Sequence, residues 1–98
     1  MPISKPAVSG KPPITTTGNN QAVSSGCELV AVHYLNLTAG VGRINLRDGG
    51  SNGEIRVVLG AAVVSGTDDF CPTQPMKFNN GIYVELATGT GVVTLLVN

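Results

Sequence analysis

The chain has 98 residues, and six basic side chains cancel six acidic ones to a formal net charge of zero. That length holds one domain. Its balanced charge argues against a nucleic-acid binder, which carries a basic surplus, and against a polybasic membrane-surface module. Thirteen valines, thirteen glycines and nine threonines, with no tryptophan, favour strands and turns over helices. One histidine, His33, and the lack of a phosphate-loop or metal-ligand motif argue against an enzyme. No cofactor or metal is expected.

Residues 1–22 read as an extended, proline-rich N-terminal arm. They hold Pro2, Pro6, Pro12 and Pro13, four of the chain's six prolines, and proline fixes φ and removes a backbone donor. The opening lacks the continuous apolar stretch of a signal peptide. No run approaches the roughly 18–20 apolar residues of a membrane span, so synthesis in the cytoplasm without a membrane anchor is expected. Two readings of the arm stand side by side. It is a solvated tail, or it orders only against a partner protein. In the second reading Ile3, Pro6, Val8, Pro12, Pro13 and Ile14 are the contacts, each filling a pocket on the partner. Ile14 to Thr17 is also a candidate for an additional strand.

From Val23 to Asn98 the pattern turns to short runs of period two, the mark of half-buried strands. Glu28 to Leu37 is apolar on both faces, as in a central strand. Gly42 to Asp48 and Glu54 to Leu59 flank the turn Gly49–Gly53 and form the clearest hairpin, with Ile55, Val57 and Leu59 expected inward. Gly60 to Val64 finishes that strand or crosses between sheets. Residues 65–75 contain Pro72 and Pro75 and read as a loop or a broken edge strand. Met76 to Phe78 precedes the turn Asn79–Gly81. Ile82 to Ala87 and Val92 to Val97 are two more strands, joined by Thr88–Gly91. Five or six strands beyond residue 23 and closely spaced turns predict an all-β fold, a small antiparallel β-sandwich or jelly-roll-like domain. Some 76 residues bury too little surface to be stable with apolar faces left open. Surplus apolar surface therefore implies self-association or a covering partner.

The candidate chemistry is thin. His33 lies in the apolar first strand, where a packed or interface histidine is the expectation. Asp68 and Asp69 are neighbours and point to opposite sides of any strand, which excludes a proton-sharing pair. Asp48 with Gly49–Gly53 suits a hairpin turn better than a calcium or sugar loop. Gly89-Thr90-Gly91 lacks the lysine of a phosphate loop. Cys27 and Cys71 lie 44 positions apart, without zinc spacing. They read as two buried free thiols, with a disulfide across the sheet as the alternative. Tyr83, opposite the core face of its strand, is the best ring for a sugar platform, with Glu85 beside it as a ligand face.

The phrase INLRDGGSNGEIRV, followed by MKFNNGIYVELATGTGVVTLLVN, resembles a group of short β-sandwich proteins in tailed-bacteriophage virions. The shared features are a strand entering a DG-type turn at Leu46 to Gly49 and the phrase from Phe78 to Val84. A final alternating strand follows. The resemblance spans roughly residues 28–98 and excludes the arm. It implies a capsid decoration (cement) protein, a head fibre or another small accessory virion component, of a kind often trimeric, with decoration of the major capsid protein at the outer capsid surface of the virion as the leading expectation. It supplies no catalytic residues. The alternative expectation is a carbohydrate- or receptor-binding module of a phage head or tail fibre, using Tyr83 and Glu85.

Overall fold

The structure, a computed structural model, describes residues 11–98. Nine strands carry the fold: β1 (Ile14–Thr16), β2 (Asn20–Val23), β3 (Cys27–Asn36), β4 (Gly42–Asp48), β5 (Glu54–Ala61), β6 (Thr67–Phe70), β7 (Met76–Phe78), β8 (Ile82–Thr88) and β9 (Gly91–Val97). The chain among the described residues is all-β, with two antiparallel sheets packed face to face.

The connectivity follows from one long hairpin. β4 pairs with β5 around the Gly49–Gly53 turn, then β3 with β6, β2 with β8 and β1 with β9, every pair antiparallel. Successive pairs fall alternately in the two sheets. The first sheet runs β1-β9-β3-β6 and the second β2-β8-β4-β5. A hairpin rolled up in this way is a jelly roll. β7 continues the line of β6 along the same edge of β3, pairing Cys27 with Phe78 and Leu29 with Met76. The break between β6 and β7 holds Pro72 and Pro75, which lack the donors a ladder needs.

Period-two alternation builds the core. Val93, Leu95 and Val97 of β9 face inward with Ile82 and Val84 of β8, Ile44 and Leu46 of β4, and Phe78. Four register shifts interrupt the ladders, and two of them bear on the sequence reading. One falls between Leu29 and Ala31 where β3 meets β9. It keeps Leu29 inside, then moves Val32, Tyr34 and Asn36 to the core face and turns Ala31, His33 and Leu35 outward. The second bulge leaves Arg56 unpaired in β5. It turns Ile55 out to 42 % exposure while Val57 and Leu59 stay buried, so the expectation of three inward side chains holds for two. A bulge adds one residue on one strand and reverses the phase beyond it.

Two turns lock together. Gly49 (φ +102°) and Gly81 (φ +103°) occupy the left-handed region that glycine enters without penalty. The Gly49 N–H donates to the Gly81 carbonyl at 3.0 Å. The Asp48 carboxylate accepts from the Asn79 and Asn80 N–H groups at 3.2 and 2.9 Å. Asp48 therefore anchors the Asn79–Gly81 turn from the end of β4, across from the Gly49–Gly53 turn it was read with.

Several sequence expectations need correction. The sandwich begins at Ile14 rather than at residue 23, because β1 and β2 are laddered into the two sheets. Ile14 packs against the core of its own chain and is not a free arm contact. Pro12 and Pro13 are exposed, while Ile3, Pro6 and Val8 lie outside the described residues. Seven strands, not five or six, follow residue 23. The two cysteines are free, but only Cys27 is buried, with its thiol pKa pushed up by burial; Cys71 is exposed. His33 is half-exposed instead of packed, since the bulge places it outside.

Candidate functional site

Three surface features stand out. The first is the outer face of the second sheet. Tyr83 and Glu85 alternate to this face of β8, opposite Arg47 and Asn45 of β4. The Glu85 carboxylate accepts from Asn45 Nδ2 at 2.8 Å and from Arg47 Nε at 3.1 Å, and Arg47 also donates to the Gly53 carbonyl at 2.8 Å. The Asn45 hydrogen bond, helped by Arg47 and opposed by partial burial, holds the Glu85 carboxyl below the usual glutamate range. The two predicted ligand-face residues are thus brought together, and Glu85 is tied to two neighbours of its own chain. Arg47 also pairs with Glu85 through Nη2 at 3.0 Å.

The second feature is the outer face of the first sheet. His33 Nδ1 and the Asp69 carboxylate meet across β3 and β6. Asp68, on the opposite side of β6, accepts from the Gly60 N–H at 3.1 Å. The neighbouring aspartates therefore do point apart. Beside the His33–Asp69 pair opens a pocket of about 310 Å³, walled by Ala31, Phe70, Cys71 and Leu96. It exists because the chain leaves the sheet between β6 and β7, at Cys71–Pro75. Among the described residues no group of three or more His, Cys, Asp or Glu side chains is arranged to hold a metal ion.

The third feature was not read from the sequence. One end of the sandwich is formed by the β3–β4 loop (37–41), the β5–β6 loop (62–66) and the β8–β9 loop (89–90). Asn36, fully buried, knots them together. Its Nδ2 donates to the Gly40 and Val63 carbonyls at 2.8 and 2.9 Å and approaches the Ala61 carbonyl at 3.3 Å; its Oδ1 accepts from the Thr38 N–H at 2.8 Å. The Asn36 backbone closes the knot through the Gly66 carbonyl and the Ser65 N–H. The Leu37 N–H donates to the Thr90 carbonyl at 3.1 Å, which adds the third loop. Ser65 holds φ +64°, a left-handed conformation that costs a non-glycine residue about 1–2 kcal/mol. The surrounding hydrogen bonds keep it there.

This rigid end presents apolar side chains. Leu37 is 51 % exposed, Val41 52 %, Val63 63 % and Val64 52 %. No charged residue occurs in the three loops. The legible signal was valine and leucine among glycine, serine and alanine with no charge nearby. It was missed because Leu37, Val63 and Val64 continue β-branched and apolar runs that read as strand. Compared with known proteins, the chain matches no family model, no curated protein and no solved structure.

Proposed function

We propose that this chain is a structural, non-enzymatic assembly module that docks by its uncharged loop end on another protein. The specific form is the one its sequence resembles, an accessory capsid-decoration protein on the outer surface of a tailed-phage shell. The observation that carries the reading is the set of four exposed aliphatic side chains on loops fixed by buried Asn36. Preorganised loops lose little entropy on binding, and a surface without charge suits an apolar protein partner.

The magnitude favours a repeating partner. Completing the burial of four half-exposed aliphatic side chains contributes about 1 kcal/mol each. A sum of about 4 kcal/mol corresponds to a millimolar contact, and four side chains fall short of the roughly 800 Å² per partner of a stable interface. Many copies on a lattice, or a trimer engaging three sites together, multiply such a contact. The trimer is part of the proposal and predicts a solution mass of three times 10.0 kDa by light scattering; a monomer contradicts it. Docking is tested by co-sedimentation with phage shells from the same source. Stoichiometric binding supports the reading, and a chain that stays in the supernatant overturns it.

One observation favours a second reading, a carbohydrate- or receptor-binding face of a head or tail fibre. Tyr83 and Glu85 share the outer face of β8 with Arg47. A glycan array that binds the wild type and loses binding with Tyr83→Ala would select it; an array without binding removes it.

A further inference from the structure

We propose that the trimer contact joins two different patches: Val58 of one copy seats in the pocket beside Leu96 and Cys71 of the next, and Arg43 meets Asp69. The inference rests on the self-association in the proposed function and not on docking to a shell. A three-fold ring has only heterologous interfaces, so each copy must carry two complementary patches. The described surface offers such a pair.

The receiving patch is the pocket on the outer face of the first sheet. Its volume is about 310 Å³, and Ala31, Phe70 and Leu96 make its walls apolar. Its acid is Asp69, whose side chain is 67 % exposed. His33 engages Oδ1 of that carboxylate, and Oδ2 has no partner among the described residues.

The entering patch lies on the outer face of the second sheet, where Val58 is 55 % exposed. The register sets Val58 opposite Asn45 and Gly60 opposite Arg43. Arg43 is thus the diagonal neighbour of Val58, about 7 Å away. Gly60 has no side chain to cover the arginine, although a Cβ there would stand 3.9 Å from Arg43 Cβ. Arg43 is exposed, and its guanidinium has no partner among the described residues. Ile55, the other exposed aliphatic of β5, lacks this feature, because the arginine opposite it, Arg47, is held by Glu85. The loop-end aliphatics have no charge beside them to answer Asp69. An aliphatic knob beside an unpaired cation therefore meets an apolar hole beside a carboxylate. The Arg43 stem extends the apolar contact, and its guanidinium makes a charge-assisted bond to Asp69.

The placement suits closure. β5 and β6 lie against each other at one edge of the sandwich, where the Gly60 N–H donates to Asp68 at 3.1 Å. Both patches flank that edge. Successive contacts turn about it, as a ring needs, instead of stacking straight through the sandwich.

Cys71 supplies the probe, because it lines the pocket and is exposed, whereas Cys27 is buried. The full-length Val58→Cys protein is oxidised with glutathione disulfide and read by non-reducing gel and peptide mass spectrometry. The expected product is a covalent trimer in which the introduced thiol of each copy is bridged to Cys71 of the next. Ile55→Cys, at another exposed position, is expected to give at least tenfold less of it. Light scattering supplies the second arm. Arg43→Asp and Asp69→Arg are each expected to weaken trimer association at least tenfold, and the two together to restore it; Arg43→Asp alone serves if Asp69→Arg disturbs the fold. A wild-type trimer whose Val58→Cys variant forms no bridge to Cys71 overturns this contact and leaves the trimer standing. Full association of Arg43→Asp does the same, as do bridges from Cys71 to Cys71, which mark an isologous contact. A monomeric wild type overturns the trimer and this contact together, with shell binding still read separately by co-sedimentation.

Discussion

Replacing Asn36 with alanine tests whether the loop end is fixed by a single buried amide. The side chain makes three hydrogen bonds of 2.8–2.9 Å, donating to the Gly40 and Val63 carbonyls and accepting from the Thr38 N–H. Each is worth about 1 kcal/mol net, and a buried group left without its partner costs more. Part of the freed backbone reaches water at the loop surface, which limits the excess. The sum is a loss of about 3 kcal/mol, which for a domain of this size lowers Tm by on the order of 15 °C. Urea unfolding monitored by tyrosine fluorescence reads the change as a lower midpoint at unchanged m-value. Amide exchange should accelerate first at Thr38, Ser65 and Asn36, whose N–H groups are held in the knot. A loss below about 1 kcal/mol, or exchange unchanged in these loops, would refute the reasoning.

Other outcomes follow from the same geometry. Phe78→Ala empties a fully buried site and is expected to cost about 3–5 kcal/mol in urea unfolding. Gly81→Ala is expected to lose at least about 1–2 kcal/mol, because φ is +103° and an added Cβ collides with the Val23 carbonyl; a neutral result would contradict the turn. Glu85 has a folded pKa below its unfolded one. Its stabilising contribution is therefore complete above the ordinary glutamate range and is lost as pH falls through the folded pKa. Glu85→Gln should flatten the acid-side decline of the urea midpoint, and an unchanged decline would remove this role.

The hairpin β4–β5 was legible in detail, because Ile44 and Leu46 alternate with Arg43, Asn45 and Arg47 and a glycine-rich turn follows. So were the turns at Gly49 and Gly81, whose neighbours Asp48 and Asn80 favour a glycine in the left-handed region. The pairings of β1 with β9 and of β2 with β8 were not legible. They join residues some 60–80 positions apart, and nothing local in Thr15 or Gln21 names the partner. The bulges at Val30 and Arg56 were hidden for a related reason. A bulge is a mismatch between two strands, so one strand's pattern cannot show it, and Ile55 was assigned to the wrong side. Of the candidate residues, Tyr83 and Glu85 were placed on one face by alternation alone. Asn36 read as the polar end of a strand, since its partners come from two loops, at Thr38–Gly40 and Ala61–Val63, that no local pattern brings together. Val63 and Val64 read as strand because β-branched residues favour one, although the carbonyl of Val63 is held in the loop knot.

The central claim is that the loop end, and not another face, docks on a protein lattice. Co-sedimentation with phage shells from the same source tests it most directly, comparing wild type, Val63→Asp and Ile55→Asp. Both substitutions place a charge at an exposed aliphatic position, one in the β5–β6 loop and one in β5. The account predicts that Val63→Asp loses binding at least tenfold while Ile55→Asp pellets like wild type, with both unfolding at the wild-type midpoint. Val63→Asp binding as wild type, or Ile55→Asp alone losing it, would contradict the account.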